Sequence, residues 1–112
     1  MYDRGLKGFK NLTTLTVPSG GRCNYYKYIA VLREARDRKA LKTLLRGQYG
    51  VSLAGEVYEE PLHKQPVFER YATRALPVAE EYCARHLCLP IFSGMEERDV
   101  QQVITALRET IG

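Results

Sequence analysis

His63 is one of two histidines in the chain, and its neighbours make it the first candidate for chemistry. It lies between Pro61 and Pro66, and this pair of prolines excludes a helix interior or a central strand. The segment is therefore predicted to be an ordered loop or a single turn, where binding and catalytic groups concentrate. A neutral imidazole there could donate to a phosphate or sugar oxygen, or carry a proton near neutral pH. From the residues alone, a structural role for His63 is slightly favoured over a functional one.

The second histidine, His86, stands between Cys83 and Cys88 in a C-x-x-H-x-C spacing that suggests a metal site. No second pair of ligands accompanies this spacing, and the chain contains no C-x-x-C pair. Neither a zinc site nor a disulfide framework is therefore expected, and no metal ligand is assigned. His86 is predicted to cap a helix C-terminus or to lie in the core.

Motifs of the common enzyme classes are absent: there is no GxSxG, P-loop, GxGxxG or HExxH sequence. Tyr25, Tyr26 and Tyr28 suggest a platform for stacking nucleic-acid bases. The strand motif of RNA-binding domains is missing, however, so packing in a sheet is favoured. The net charge is only +4, and acids interrupt the densest basic stretch, residues 33–39. This stretch is predicted to be a solvated face, and nucleic-acid binding is not expected.

The first half of the chain is predicted to contain two strands and one helix. Residues 24–32 are dense in aromatic and β-branched residues, which is typical of a strand. Asp37 is a candidate N-cap for a helix that should end at Gly47 or Gly50. The apolar stripe of this helix consists of Ala40, Leu41, Leu44 and Leu45. Residues 51–58 predict a shorter strand, interrupted at its glycine.

The second half of the chain is predicted to contain two helices and a short strand. Pro77 suits the first turn of a helix that runs to about Arg85. The side chains of this helix expected to face inward are Val78, Ala79, Tyr82 and Cys83. Residues 87–92 predict a short strand, and Ser93 with Glu96 matches the capping box of a terminal helix. The apolar stripe of that helix consists of Val100, Val103, Ile104, Leu107 and Ile111.

These elements follow the order β-α-β-loop-α-β-α, which predicts an α+β fold with a small, largely antiparallel sheet and helices packed on one face. A ferredoxin-like arrangement is a variant of this fold. The length of 112 residues suits one domain. No apolar run approaches the roughly 18 residues of a membrane span, and the first residues lack a secretory signal, so a cytoplasmic location is expected.

Five blocks of the sequence, taken in order, resemble the C-terminal part of the DegT/StrS sugar aminotransferases, pyridoxal-phosphate enzymes of the aspartate-aminotransferase fold. Each block alone is weakly specific, whereas five in the right order are fairly specific. The resemblance covers roughly residues 24 to 111. The blocks are NYYKY (24–28), GVSLAGEVY (50–58), PLHKQPVF (61–68), PVAE (77–80) and LCLPIF (87–92) followed by Gly94.

The resemblance implies that residues 24–112 form the small C-terminal domain of such an enzyme and that residues 1–23 lead in from an upstream large domain. The whole enzyme would be a homodimer that transfers an amino group from glutamate or glutamine to a keto group of a nucleotide sugar or related cyclitol. Pyridoxal phosphate and the lysine that carries it would belong to the large domain. No catalytic or cofactor-binding residue is therefore assigned in this chain, which is expected to be inactive alone.

The resemblance also implies that the loop carrying His63 approaches the cofactor and substrate cleft. His63 becomes the first candidate for substrate contact, and Tyr58 and Gln65 are further candidates. Lys64 could meet a substrate phosphate or could be solvated. The alternative hypothesis is a free-standing α+β module that binds nucleic acid or another protein.

Overall fold

The computed structural model describes all 112 residues, with three strands in one antiparallel sheet of order β1-β2-β3. The strands are β1, Leu12–Thr14; β2, Tyr28–Leu32; and β3, His86–Leu89. The helices are α1, Tyr2–Gly5; α2, Arg38–Tyr49; α3, Pro77–Arg85; and α4, Glu97–Ile111. Two short 3₁₀ helices, Leu62–Lys64 and Pro66–Tyr71, precede α3. The predicted α+β class with a small antiparallel sheet is confirmed.

The hydrophobic core lies where α1, α2 and α4 pack against one face of the sheet. Strands β2 and β3 turn alternate side chains to this face, including Ala30 opposite Leu87, and both are fully buried. The stripe predicted for the terminal helix is confirmed, since all five of its residues are buried. The centre of the core is formed by Leu45, Leu87, Leu89 and Leu107.

The N-terminal residues belong to the same core. Tyr2, Leu6 and Leu12 are buried, and the Tyr2 hydroxyl donates to the Pro90 carbonyl at 2.8 Å. Sequence analysis missed α1 and β1 because elements of four and three residues are too short for a periodic pattern. The origin of residues 1–23 in an upstream domain stays a prediction.

The strand predicted over residues 51–58 is wrong, because only Ala54 forms a bridge, with Cys88. The Val57 N–H donates to a histidine ring instead of to a strand ladder. The strand predicted over 24–32 begins only at Tyr28, since Tyr25 has a φ of 50°, which breaks the extended backbone. The last predicted strand ends at Leu89, before a proline that cannot donate to a ladder.

The capping residues predicted from the sequence are correct for α2 and wrong for the start of α4. The Asp37 carboxylate caps α2 by accepting from the Ala40 N–H at 3.0 Å, and Gly50 ends this helix with a φ of 64°, both as predicted. Only Leu41 and Leu45 of the predicted α2 stripe are buried. The predicted Ser93–Glu96 box is wrong, because Gly94 lies in a turn and Glu96 is the N-cap of α4. Asp99 accepts the Glu96 N–H at 2.9 Å.

Helix α3 has its predicted bounds, but of the four side chains predicted to face inward only Cys83 does so. Val78 and Tyr82 are 68% and 47% exposed, and Ala79 is exposed as well. The side turned toward the protein carries Glu80 and Cys83, both half-buried. Apolar side chains of α3 therefore face away from the core.

None of the helices has the length and apolar character that crossing a membrane requires.

Candidate functional site

The loop that carries His63 is an ordered single turn, as predicted. Pro61 is buried and adopts an extended conformation, which starts the first 3₁₀ helix. The N–H groups of Lys64 and Gln65 donate to the carbonyls of Pro61 and Leu62, each at 3.0 Å. These bonds fix the backbone on both sides of His63, so the imidazole is presented by a rigid segment.

His63 and Lys64 meet at one carboxylate, that of Glu80 on α3. The Lys64 ammonium donates to Glu80 Oε1 at 2.8 Å, and His63 Nε2 lies 3.7 Å from the same oxygen. The hydrogen bond from Lys64 lowers the pKa of Glu80, and the same bond raises the pKa of Lys64. Both groups are therefore held in their charged forms beside the imidazole.

The other two predicted site residues make different contacts. The Gln65 amide donates to the Glu60 carbonyl at 3.1 Å, so it stiffens its own loop. Tyr58 is half exposed, and its hydroxyl bonds to no group of the chain. The structure thus joins His63 and Lys64 through Glu80. Sequence analysis missed Glu80 as a site residue, since nothing in the spacing brings the start of α3 to this loop.

His86 attaches the segment before the loop to the sheet. Its Nε2 accepts the Val57 N–H at 3.1 Å, and its Nδ1 lies 2.8 Å from the Tyr82 carbonyl, so Nδ1 carries the hydrogen. The imidazole is buried, as the predicted core role requires. Because both ring nitrogens are occupied by backbone groups, His86 does not form a metal site with its neighbouring cysteines.

Glu56 attaches the same segment to α2. Its carboxylate is 10% exposed and lies 2.6 Å from the Lys42 ammonium and 3.9 Å from the Arg38 guanidinium. Burial alone raises the pKa of Glu56, but the hydrogen bond from Lys42 and the nearby positive charges together lower it. The ion pair is therefore stable at neutral pH. It fixes the stretch of chain that leads to Tyr58.

The remaining residues considered for chemistry have packing roles. Tyr28 is buried, and its hydroxyl donates a hydrogen bond to the Asp3 carboxylate. Tyr25 stacks on Tyr28, so Tyr26 is the only one of the three whose ring is largely exposed. Burial raises the pKa of the Cys88 thiol, which disfavours the reactive thiolate. No group of three or more His, Cys, Asp or Glu side chains converges to hold a metal ion.

Exposed apolar side chains concentrate in the segment that carries the site. We call this set the outer face; it consists of Leu62, Val67, Phe68, Tyr71, Val78 and Tyr82. Val67 is 73% exposed, and neither the second 3₁₀ helix nor α3 contains a buried residue. Because large exposed apolar areas often mark interaction sites, these side chains make the segment a candidate for contact with another body.

The lysines of this chain do not form a site for pyridoxal phosphate. Lys42 and Lys64 are bound to Glu56 and Glu80, and Lys27 donates to the Gly55 carbonyl at 2.7 Å. Lys39 is exposed in the first turn of α2. Lys7 and Lys10 line a shallow cleft beside Arg108, without the carboxylate that a pyridine nitrogen needs. The residues of this chain thus do not form a binding site for pyridoxal phosphate.

Comparison with known proteins gives matches along almost the whole chain. The sequence profile of the DegT/DnrJ/EryC1/StrS aminotransferase family matches residues 1–108. The dTDP-4-dehydro-2,3,6-trideoxy-D-glucose 4-aminotransferase of Saccharopolyspora spinosa is 31% identical over 112 residues, which are 98% of this chain and 27% of that protein. The UDP-N-acetyl-3-dehydro-alpha-D-glucosamine 3-aminotransferase of Acidithiobacillus ferrooxidans is 33% identical over 94 residues, 84% of this chain and 24% of that protein.

The fold of this chain also matches that of a solved structure from the same family. A DegT DnrJ EryC1 StrS aminotransferase from Brucella abortus superposes with a TM-score of 0.81 and 28% identity. The match covers 99% of this chain and 28% of that one. The match therefore spans about a quarter of the length of the proteins that this chain resembles.

Proposed function

The chain belongs to the DegT/DnrJ/EryC1/StrS aminotransferase family, and we propose that it is the small C-terminal domain of a pyridoxal-phosphate-dependent sugar aminotransferase. The reaction proposed is transfer of an amino group from glutamate or glutamine to a keto group of a nucleotide sugar or related cyclitol, in the cytoplasm. By this proposal the chain is inactive alone.

The observation that supports this proposal is the similarity of this chain to two aminotransferases. Both are named as aminotransferases, and both names describe a keto sugar linked to a nucleotide. The two names differ in the nucleotide, the sugar and the position aminated, so the substrate is proposed only as a class. The matched region is a similarly small fraction of each relative, 27% and 24%, which supports a domain rather than a whole enzyme.

This domain is proposed to contribute the sugar-binding side of the site. Pyridoxal phosphate supplies the electron sink of the reaction when it is bound elsewhere in the enzyme. His63 would hydrogen-bond a substrate oxygen, with Tyr58 and Gln65 completing the edge of the cleft. Lys64 would add positive charge toward a substrate phosphate. The rigid turn between Pro61 and Pro66 would hold these groups in place with little loss of entropy on binding.

The outer face is proposed to pack against the large domain and the second subunit of a homodimer. Its apolar side chains are exposed in the structure of the isolated chain. They include residues on both sides of His63 in the sequence. Contact there would exclude water from the cleft in which His63 binds substrate. Burying these side chains would also supply the free energy that holds the two bodies together.

The proposal is tested with the natural polypeptide that contains this chain, incubated with dTDP- and UDP-linked keto sugars and with L-glutamate or L-glutamine. We expect formation of an amino sugar, detected by mass spectrometry, with one of these pairs. The His63→Ala variant should raise the KM for the sugar with little loss of thermal stability, whereas Gln101→Ala on the exposed side of α4 should change neither. Absence of transfer with every pair would contradict the proposed reaction class. Unchanged kinetics with a large loss of stability would make His63 structural.

A further inference from the structure

The imidazole of His63 has two nitrogens in different surroundings. Nε2 is enclosed, has no hydrogen-bond partner, and faces the Glu80 carboxylate at 3.7 Å. Nδ1 is accessible to solvent, and no group of the chain hydrogen-bonds to it. The side chain as a whole is 12% exposed. One nitrogen is thus directed at the protein and the other remains available to a ligand.

The carboxylate decides which nitrogen of the neutral ring carries the hydrogen. A lone pair on Nε2 would face the negative oxygen of Glu80, whereas an N–H there is attracted to it. A small closing movement would turn this 3.7 Å contact into a hydrogen bond, as often happens when a site binds its ligand. Lys64 holds the carboxylate in place at 2.8 Å, on the same oxygen.

We propose that Glu80 is a positioning residue that fixes His63 in the Nε2–H form, so that Nδ1 accepts a hydrogen bond from a hydroxyl group of the substrate. This inference rests on the proposed function, since it specifies how the imidazole meets a sugar. Histidines that bind ligands are commonly oriented in this way by a carboxylate on the far nitrogen. Glu80 itself does not touch the substrate.

The first test measures the tautomer directly. In this chain labelled with ¹⁵N-histidine, long-range ¹H–¹⁵N correlation spectra should show His63 mainly as the Nε2–H form. Glu80→Ala should shift His63 toward a mixture of the two forms. Glu80→Gln keeps an oxygen that accepts the Nε2–H and should largely preserve the wild-type form. Glu81→Ala, the matched control on the exposed side of α3, should change nothing. A wild-type Nδ1–H form, or a ratio insensitive to Glu80→Ala, would overturn the proposal.

The second test uses sugar turnover by the natural polypeptide. Glu80→Ala should raise the KM for the sugar by between about two- and tenfold, the range for one hydrogen bond, with kcat little changed. In a His63→Ala background the same substitution should have no further effect, because Glu80 acts through His63. An equal effect in both backgrounds would overturn the positioning role while leaving the proposed reaction intact. A wild-type polypeptide that transfers no amino group, despite the expected tautomer, would contradict the proposed function and with it the substrate role of Nδ1.

Discussion

The two sides of the sheet are stabilised in different ways. On the core side, α1, α2 and α4 bury apolar side chains completely, with Leu45 and Leu107 fully inaccessible. On the other side, residues 54–85 form one isolated bridge, two 3₁₀ helices and α3, and their apolar side chains are largely exposed. Polar contacts of Glu56 and His86 attach this second region to the first.

The difference indicates which region is available for contact with other parts of the proposed enzyme. A side that buries its own apolar residues needs no partner, whereas exposed apolar side chains remain available for one. The rigid turn with His63 lies within the second region, which is where a scaffold commonly presents functional groups. The core side therefore accounts for the stability of this chain, and the proposed binding role falls to the side that carries the outer face.

The largest expected effect is on the core side. Leu107→Ala should lower the free energy of unfolding by about 2–5 kcal/mol, because it leaves a cavity in a fully buried position. Chemical denaturation monitored by circular dichroism measures this loss. A loss below about 1 kcal/mol would mean that α4 is not the centre of the core.

Glu56→Gln tests the attachment between the two sides. It should lower the free energy of unfolding by about 2 kcal/mol at pH 7, since it removes a charged hydrogen bond with Lys42. The folded-state pKa of Glu56 is lowered, so its contribution is present above the unfolded pKa of about 4.3 and is lost as pH falls further. Wild type and variant should therefore converge in acid. Glu59→Gln, at an exposed acid nearby, is the control; a gap as large at pH 3 as at pH 7 would contradict the account.

The cap of α2 gives a smaller effect. Asp37→Ala should cost about 1 kcal/mol, because the Ala40 N–H loses its acceptor. Asp37→Asn keeps an acceptor oxygen and should cost only a few tenths of that amount. Thermal melts of the three proteins check the order. Equal losses in both variants would show that the charge, rather than the cap, matters.

The smallest effect is expected on the outer face. Val78→Ala should change the stability of this chain by less than about 0.5 kcal/mol, because the side chain is already exposed. The stability losses of the two single variants, Val78→Ala and Leu107→Ala, compare one helix from each side of the sheet. A loss as large as that of Leu107→Ala would show that α3 packs inward, which would contradict the division between the two regions.

Local signals in the sequence located several elements for which this chain supplies its own partners, although the Ser93–Glu96 box was mispredicted. The Asp37 cap, the Gly50 end and the apolar stripe of α4 act over a few residues, and all three were predicted. The inward side of α3 and the strand over 51–58 were mispredicted, because apolar residues there were assumed to be buried within this chain. The contact between His63 and Glu80 joins residues far apart in sequence, so no periodicity reveals it.

The most direct test is to isolate the natural protein with an antibody to residues 1–112, then determine its intact mass and where pyridoxal phosphate attaches after borohydride reduction. We predict a polypeptide considerably longer than this chain, with the cofactor on a lysine outside residues 1–112. A mature protein of 12.8 kDa, or cofactor attached to a lysine within this chain, would contradict the account.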